Sequence, residues 1–230
     1  MIPPPPNPLI AALDVTDPAD ADRLVALLSP HVGMLKVGLE LAWAQGPEAV
    51  RRVAAHAPVF VDAKLHDIPN TVERASANIA RLGVTMFNVH ALGGDAMMRA
   101  ALDGAARGAD AGGVPMPLVV AVTVLSSQGG EGLASPASLA WEAKEAGLDG
   151  VVVSGEDVRD VRDACGDAFV LAVPGIRPPG SNGDDQVRVL TPRAAIERGA
   201  DYLIVGRPAT SSADPVGVLR GMLHDVGRAG

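Results

Sequence analysis

The 230-residue chain contains one cysteine, Cys165, so no intrachain disulfide can form. That scarcity points to a reducing compartment, and the cytoplasm is the expected location. No apolar run approaches the ~18 residues of a membrane-spanning helix, so no membrane partner is expected. Positive charge is not in excess. The formal net charge of -8 argues against a nucleic-acid backbone or an anionic lipid surface as partner. It leaves a small anionic ligand open, because a local basic cluster can hold one. The opening MIPPPPNPLI has no basic stretch leading into a long apolar one, so it reads as an extended N-terminal arm over 1–8, not as a secretory signal. Lysine is scarce as well: only Lys36, Lys64 and Lys144 occur. Two of the three, in MLKVG and VDAKL, sit inside apolar runs. A buried lysine is costly unless a partner satisfies it, which makes both candidates for chemistry.

With 48% hydrophobic and 20% charged residues, the body of the chain is expected to fold around one sizeable core. Short near-continuous apolar runs recur: Leu9 to Val15, Met34 to Val37, Val59 to Leu65, Met86 to His90, Leu118 to Thr123, Gly150 to Val153, Phe169 to Val173 and Tyr202 to Val205. Such runs are expected of parallel strands covered on both faces. Helical spacing fills the intervals, as in Pro18 to Leu28, Ile68 to Leu82, Ala96 to Arg107 and Pro136 to Ala146. Prolines open several of these stretches, and Gly83, Gly147 and Gly199 follow three of them. Eight β/α units in this length predict an α/β fold: a single-domain (β/α)8 TIM barrel over 9–230. The competing architecture is a doubly wound open sheet, which would be supported by a glycine fingerprint after the first strand. That strand instead ends in LDVTD, without a glycine.

A barrel builds its site at the C-terminal ends of its strands. Those ends carry Asp14, Lys36, Asp62 with Lys64, His90, Thr123, Ser154, Pro174-Gly175 and Gly206-Arg207. Asp62 and Lys64 are two apart on one strand and so share a face. Asp67 falls in the turn before the next helix, since Pro69 follows. An ammonium group flanked by carboxylates suits proton donation better than Schiff-base nucleophilicity. The alternative is a buried ion-pair network that only closes the barrel. The loops after the last two strands carry Gly175, Arg177 and Gln186, and then Gly206 and Arg207. Glycines and arginines there suit a phosphate. No histidine has metal-ligand spacing: His90 reads as a core or hydrogen-bonded residue, and His66 as a loop holder. Trp43 and Trp141 read as core or interface packing. No metal is expected.

These residues fall into recognisable runs. FVDAKLHDIPNTV closely resembles the signature of the orotidine 5′-phosphate decarboxylase family. Further matches, in the same order, are ALDV at Ala12, LKVG at Leu35, NVHALGG at Asn88, VTVLSS at Val122, PGIRP at Pro174 and VGRP at Val205. The resemblance implies a cofactor-independent decarboxylation of orotidine 5′-phosphate to uridine 5′-phosphate in de novo pyrimidine biosynthesis. It implies Lys64 as proton donor to C6, with Asp62 and Asp67 flanking it. Lys36 would complete the charged set and contact the ribose with Asp14. Ser126 would bind the base, standing where the pattern commonly has threonine. Arg177, Gln186, Gly206 and Arg207 would hold the phosphate, beside an Asp184 where the pattern commonly has glycine. The resemblance also implies a homodimer with shared sites, in which Asp67, Ile68 and Thr71 reach into the neighbouring subunit. Two rivals stand beside it. One is a metal-dependent enzyme acting on keto-sugar phosphates, whose pattern has a glutamate where this chain has Lys36. The other is a non-catalytic phosphate-binding barrel, which would be expected to have lost part of the charged set.

Overall fold

A computed structural model describes residues 5–124, 134–178 and 190–227. In chain order these residues form β1 (Leu9–Ala12), α1 (Pro18–Leu28), β2 (Met34–Val37), α2 (Leu39–Gln45), α3 (Pro47–Ala54), β3 (Val59–Leu65), α4 (Pro69–Ala80), β4 (Met86–His90) and α5 (Asp95–Gly112). Then follow β5 (Leu118–Val122), α6 (Pro136–Glu145), β6 (Gly150–Val152), α7 (Val158–Cys165), β7 (Val170–Val173), α8 (Pro192–Glu197), β8 (Tyr202–Val205), α9 (Arg207–Thr210) and α10 (Pro215–Asp225). The strands pair in sequence order, and β8 closes onto β1: this is a (β/α)8 TIM barrel. Every pairing is parallel. The open-sheet alternative is excluded by that closure.

Local chemistry explains the boundaries. Proline stands in the first turn of most helices, where its missing N–H costs nothing. Side chains cap four of these helices: Asp17, Ser135, Thr191 and Asp214 each accept from backbone N–H groups of the first turn. Sequence periodicity anticipates all eight strands but passes over α2 and α9, which are short insertions after β2 and β8. It also stops α5 five residues early, at Arg107.

Two apolar layers hold the barrel. The larger lies between strands and helices, with Leu9, Leu35, Val89, Val119, Leu171 and Leu203 facing outward into it. The smaller fills the interior with Ile10, Met34, Phe60, Met86, Val120, Val170, Ala172 and Ile204. Alternation along each strand then sends the next inward positions, two residues on, to the mouth. Those positions include Ala12, Lys36, Asp62, Asn88, Val122 and Gly206. Trp43 is 85% exposed, so it is not a core residue.

Candidate active site

A cavity of about 310 Å3 opens at the C-terminal ends of the strands. Its floor is apolar, made by Ala12, Phe60, Val122, Val152 and Ile204. Its wall carries Asp14, Lys36, Asp62, Lys64, Ser154, Arg177, Gly206 and Arg207. An apolar base with a few convergent charged groups is the usual build of a small-molecule site.

The charges alternate along a chain. The Lys36 ammonium lies 3.4 Å from Asp14 and 3.1 Å from Asp62. Asp62 in turn lies 2.5 Å from the Lys64 ammonium. Burial alone would push the Asp62 carboxyl up. Lys36 and Lys64, with hydrogen bonds from Lys64 and Asn88, outweigh it and hold the group below the ordinary carboxylate range. Burial alone would likewise push Lys36 down, but Asp62 and Asp14 hold it above the ordinary lysine value. Both groups are therefore ionised at neutral pH. Gly38 leaves room for this pair, because a side chain there would crowd the Lys36 Nζ.

Lys64 has a backbone φ of 50°, and among the described residues it is the one non-glycine with positive φ. Such a conformation costs ~1–3 kcal/mol and persists only where the surroundings enforce it. Its cause is visible in the sheet. Val61 pairs with Phe87, and Leu65 pairs with Val89. Asp62, Ala63 and Lys64 on β3 are thus accommodated opposite Asn88 alone on β4. Asp62 and Lys64 meet at the mouth as the spacing predicts, but across this irregularity, not along a regular pleat. Asn88, fully buried, spans it. Its Oδ1 accepts the Lys64 backbone N–H at 2.7 Å, and its Nδ2 donates to Asp62 Oδ1 at 2.7 Å. Sequence reasoning assigned Asn88 no role. The available signal was an amide inside the apolar run MFNVH.

Other expected residues divide into two groups. Asp14, Lys36, Asp62, Lys64, Arg177, Gly206 and Arg207 come together around the cavity. Asp67, Ile68 and Thr71 do not line it. They are exposed at the start of α4, with Ile68 66% accessible, and Asp67 Oδ1 accepts the Ile68 N–H at 2.7 Å. Ser126, Gln186 and Asp184 lie outside the described residues. His90 is half-buried, its ring centroid 5.4 Å from that of His66. Among the described residues no group of His, Cys, Asp and Glu is placed to hold a metal ion. No described helix is long and apolar enough to cross a membrane.

Comparison with known proteins adds to this geometry. The model of the "Orotidine 5'-phosphate decarboxylase / HUMPS family" matches residues 7–222. The chain belongs to this orotidine 5′-phosphate decarboxylase family. It is 47% identical to the orotidine 5′-phosphate decarboxylase of Moorella thermoacetica, covering 95% of this chain and 91% of the relative. It is 46% identical to that of Pelobacter propionicus, covering 90% of each. Among solved structures, the orotidine 5′-phosphate decarboxylase from Lactobacillus acidophilus superposes with a TM-score of 0.83 at 34% identity, over 96% of this chain and 99% of that one. The Pyrococcus horikoshii decarboxylase superposes at 0.76 with 22% identity, a likeness of fold. The relatives are thus decarboxylases by name.

Proposed function

We propose that this chain converts orotidine 5′-phosphate to uridine 5′-phosphate and CO2 in pyrimidine biosynthesis, with Lys64 as the proton donor. The observation that carries the reading is the Asp14–Lys36–Asp62–Lys64 chain of alternating charges at the barrel mouth. The C6–carboxylate bond breaks and its electron pair stays on C6. The Lys64 ammonium stabilises that charge and transfers a proton to it. The resulting amine regains a proton from solvent. A preorganised cation beside developing negative charge needs no electron sink, so the reaction runs on the chain's own residues. Asp62 holds the ammonium in place, and its fixed charge crowds a carboxylate bound beside it.

The remaining roles are those that the family resemblance implies. Lys36 and Asp14 contact the ribose. Ser126 binds the base. Arg177, Gln186, Gly206 and Arg207 bind the phosphate, at the two loops where barrels of this kind commonly hold one. Asp67, Ile68 and Thr71 serve the site of a second copy in a homodimer. Their absence from the cavity of their own chain and the exposure of Ile68 support this. The keto-sugar rival requires a carboxylate at position 36, where the ammonium of a lysine repels a metal ion.

The test is the loss of orotidylate absorbance on incubation with the purified protein, run beside Lys64→Ala. Wild type should turn over, and the variant should be inactive while melting cooperatively near the wild-type temperature. Near-normal turnover by Lys64→Ala would remove Lys64 from its role. An inert wild type would favour the non-catalytic barrel.

A further inference from the structure

We infer that Asn88 is a positioning residue, a clamp that fixes both the Lys64 ammonium and the Asp62 carboxylate in their working geometry. The inference rests on the decarboxylase reading and deepens it.

The argument starts from the irregularity in β3. Between the Val61–Phe87 and Leu65–Val89 pairs, three residues of β3 stand against one of β4. The backbone ladder cannot satisfy three residues from one, so some donors there must find other partners. The Lys64 N–H finds the Asn88 side-chain oxygen at 2.7 Å. That bond sits at the residue with φ of 50°, a conformation lysine adopts only under constraint. Without the acceptor, a part-buried N–H would lose this partner, and rotation of Lys64 toward ordinary φ would relieve the strain. Such rotation redirects the Lys64 Cβ and hence its ammonium.

The other end of the amide acts on Asp62. Nδ2 donates to the same oxygen, Oδ1, that receives the Lys64 ammonium. Asp62 Oδ2 faces Lys36. The carboxylate is thereby fixed in rotation, one oxygen to each lysine. An amide is the side chain suited to this place. It offers one acceptor and one donor on adjacent atoms, and it adds no charge to a set already balanced. From β5, Asn88 is paired with Val120, which offers nothing to either group. Asn88 is fully buried and so holds the pair from behind rather than touching a ligand in the cavity.

The experiment compares wild type, Lys64→Ala, Asn88→Leu and Asn88→Ser, using orotidine 5′-phosphate. Leucine keeps the number and branching of side-chain heavy atoms, though it is bulkier, and removes both bonds. Serine is smaller and cannot span both partners, and it serves if the leucine variant does not fold. The expected result is a fall in kcat of roughly 10- to 100-fold, by analogy with the loss of partners that orient metal ligands, with KM within about threefold. Crystal structures of the variants should show Lys64 returned to negative φ. A purely structural role would lower the melting temperature but leave kcat per folded site unchanged, and that result overturns the inference. So does a kcat within twofold of wild type, or a loss carried wholly by KM. If wild type is active and the Asn88 variants match it, this inference alone fails. If wild type is inert, the decarboxylase reading fails and takes the inference with it.

Discussion

Lys36 is nearly out of reach of solvent and lies between two carboxylates, which makes its charge both costly and well paired. Its raised value means that its contribution to stability is complete below the unfolded lysine value and is lost as pH rises through the folded one. Asp62 works in the opposite direction. Its lowered value contributes stability above the unfolded carboxyl value of 3.8, lost as pH falls through the folded one. Replacing Lys36 with methionine should cost about 3–5 kcal/mol at neutral pH, toward the lower end because Lys64 still faces Asp62. The alkaline loss from Lys36 should disappear, and the acid loss from Asp62 should shrink, because its carboxyl is then held down less, so the deficit of the variant should narrow as pH falls. Melting temperatures across both limbs test this, and a deficit that stays the same from neutral to acid pH would contradict the pairing. Scarcity made Lys36 and Lys64 visible in the sequence, since charged side chains in apolar runs demand an explanation. Asn88 was not visible in the same way. An uncharged amide declares no partner, and its role depends on a pairing irregularity that no local pattern in β3 or β4 encodes.

At the scale of elements, α5 shows why a helix boundary was misjudged. The run GAARGADAGG is rich in glycine and reads as a helix breaker, yet the helix continues to Gly112. The glycines are there for packing. A Cβ on Gly104 would overlap the carbonyl oxygen of Glu73, and one on Gly108 would overlap that of Ala77. Both acceptors belong to α4, so the two helices touch backbone to side-chain-free backbone. Two effects compete on substitution. Alanine favours an isolated helix over glycine by about 1 kcal/mol. Overpacking costs about 1–3 kcal/mol, and here the obstacle is backbone, which cannot rotate aside. Gly104→Ala and Gly108→Ala should therefore destabilise, lowering the melting temperature by about 2–4 °C per kcal/mol lost. Gly221→Ala is the control: it lies in α10 with open space around it and should be neutral or stabilising. Should all three variants melt alike, the close approach of α4 and α5 would not be limiting. The short helices α2 and α9 escaped notice for a different reason. Neither is long enough to display a period, and both sit where the sequence also satisfies a loop reading.

On the scale of the whole molecule, the barrel was legible because its strands are apolar throughout and its polar residues gather at one end of each. The closed order of the strands and the clustering of Asp14, Lys36, Asp62, Lys64, Arg177 and Arg207 follow from that single regularity. What one chain does not contain is Asp67 at its own cavity, although the turn that carries it is fully described. If Asp67 is supplied across an interface, each working site needs two chains. Lys64→Ala and Asp67→Ala then damage different sites of a mixed dimer. One site carries both defects, while the other receives an intact Lys64 and an intact Asp67. Each variant alone is expected to be inactive as a homodimer. Refolding the two together in equal amounts makes about half the dimers mixed, each with one good site of two. Roughly a quarter of wild-type activity should therefore return, given isologous pairing. Differently tagged chains recovered as a hetero-pair provide the control for assembly. Mixed dimers that stay inactive would show that Asp67 acts within its own chain, and the exposed start of α4 would then need another explanation.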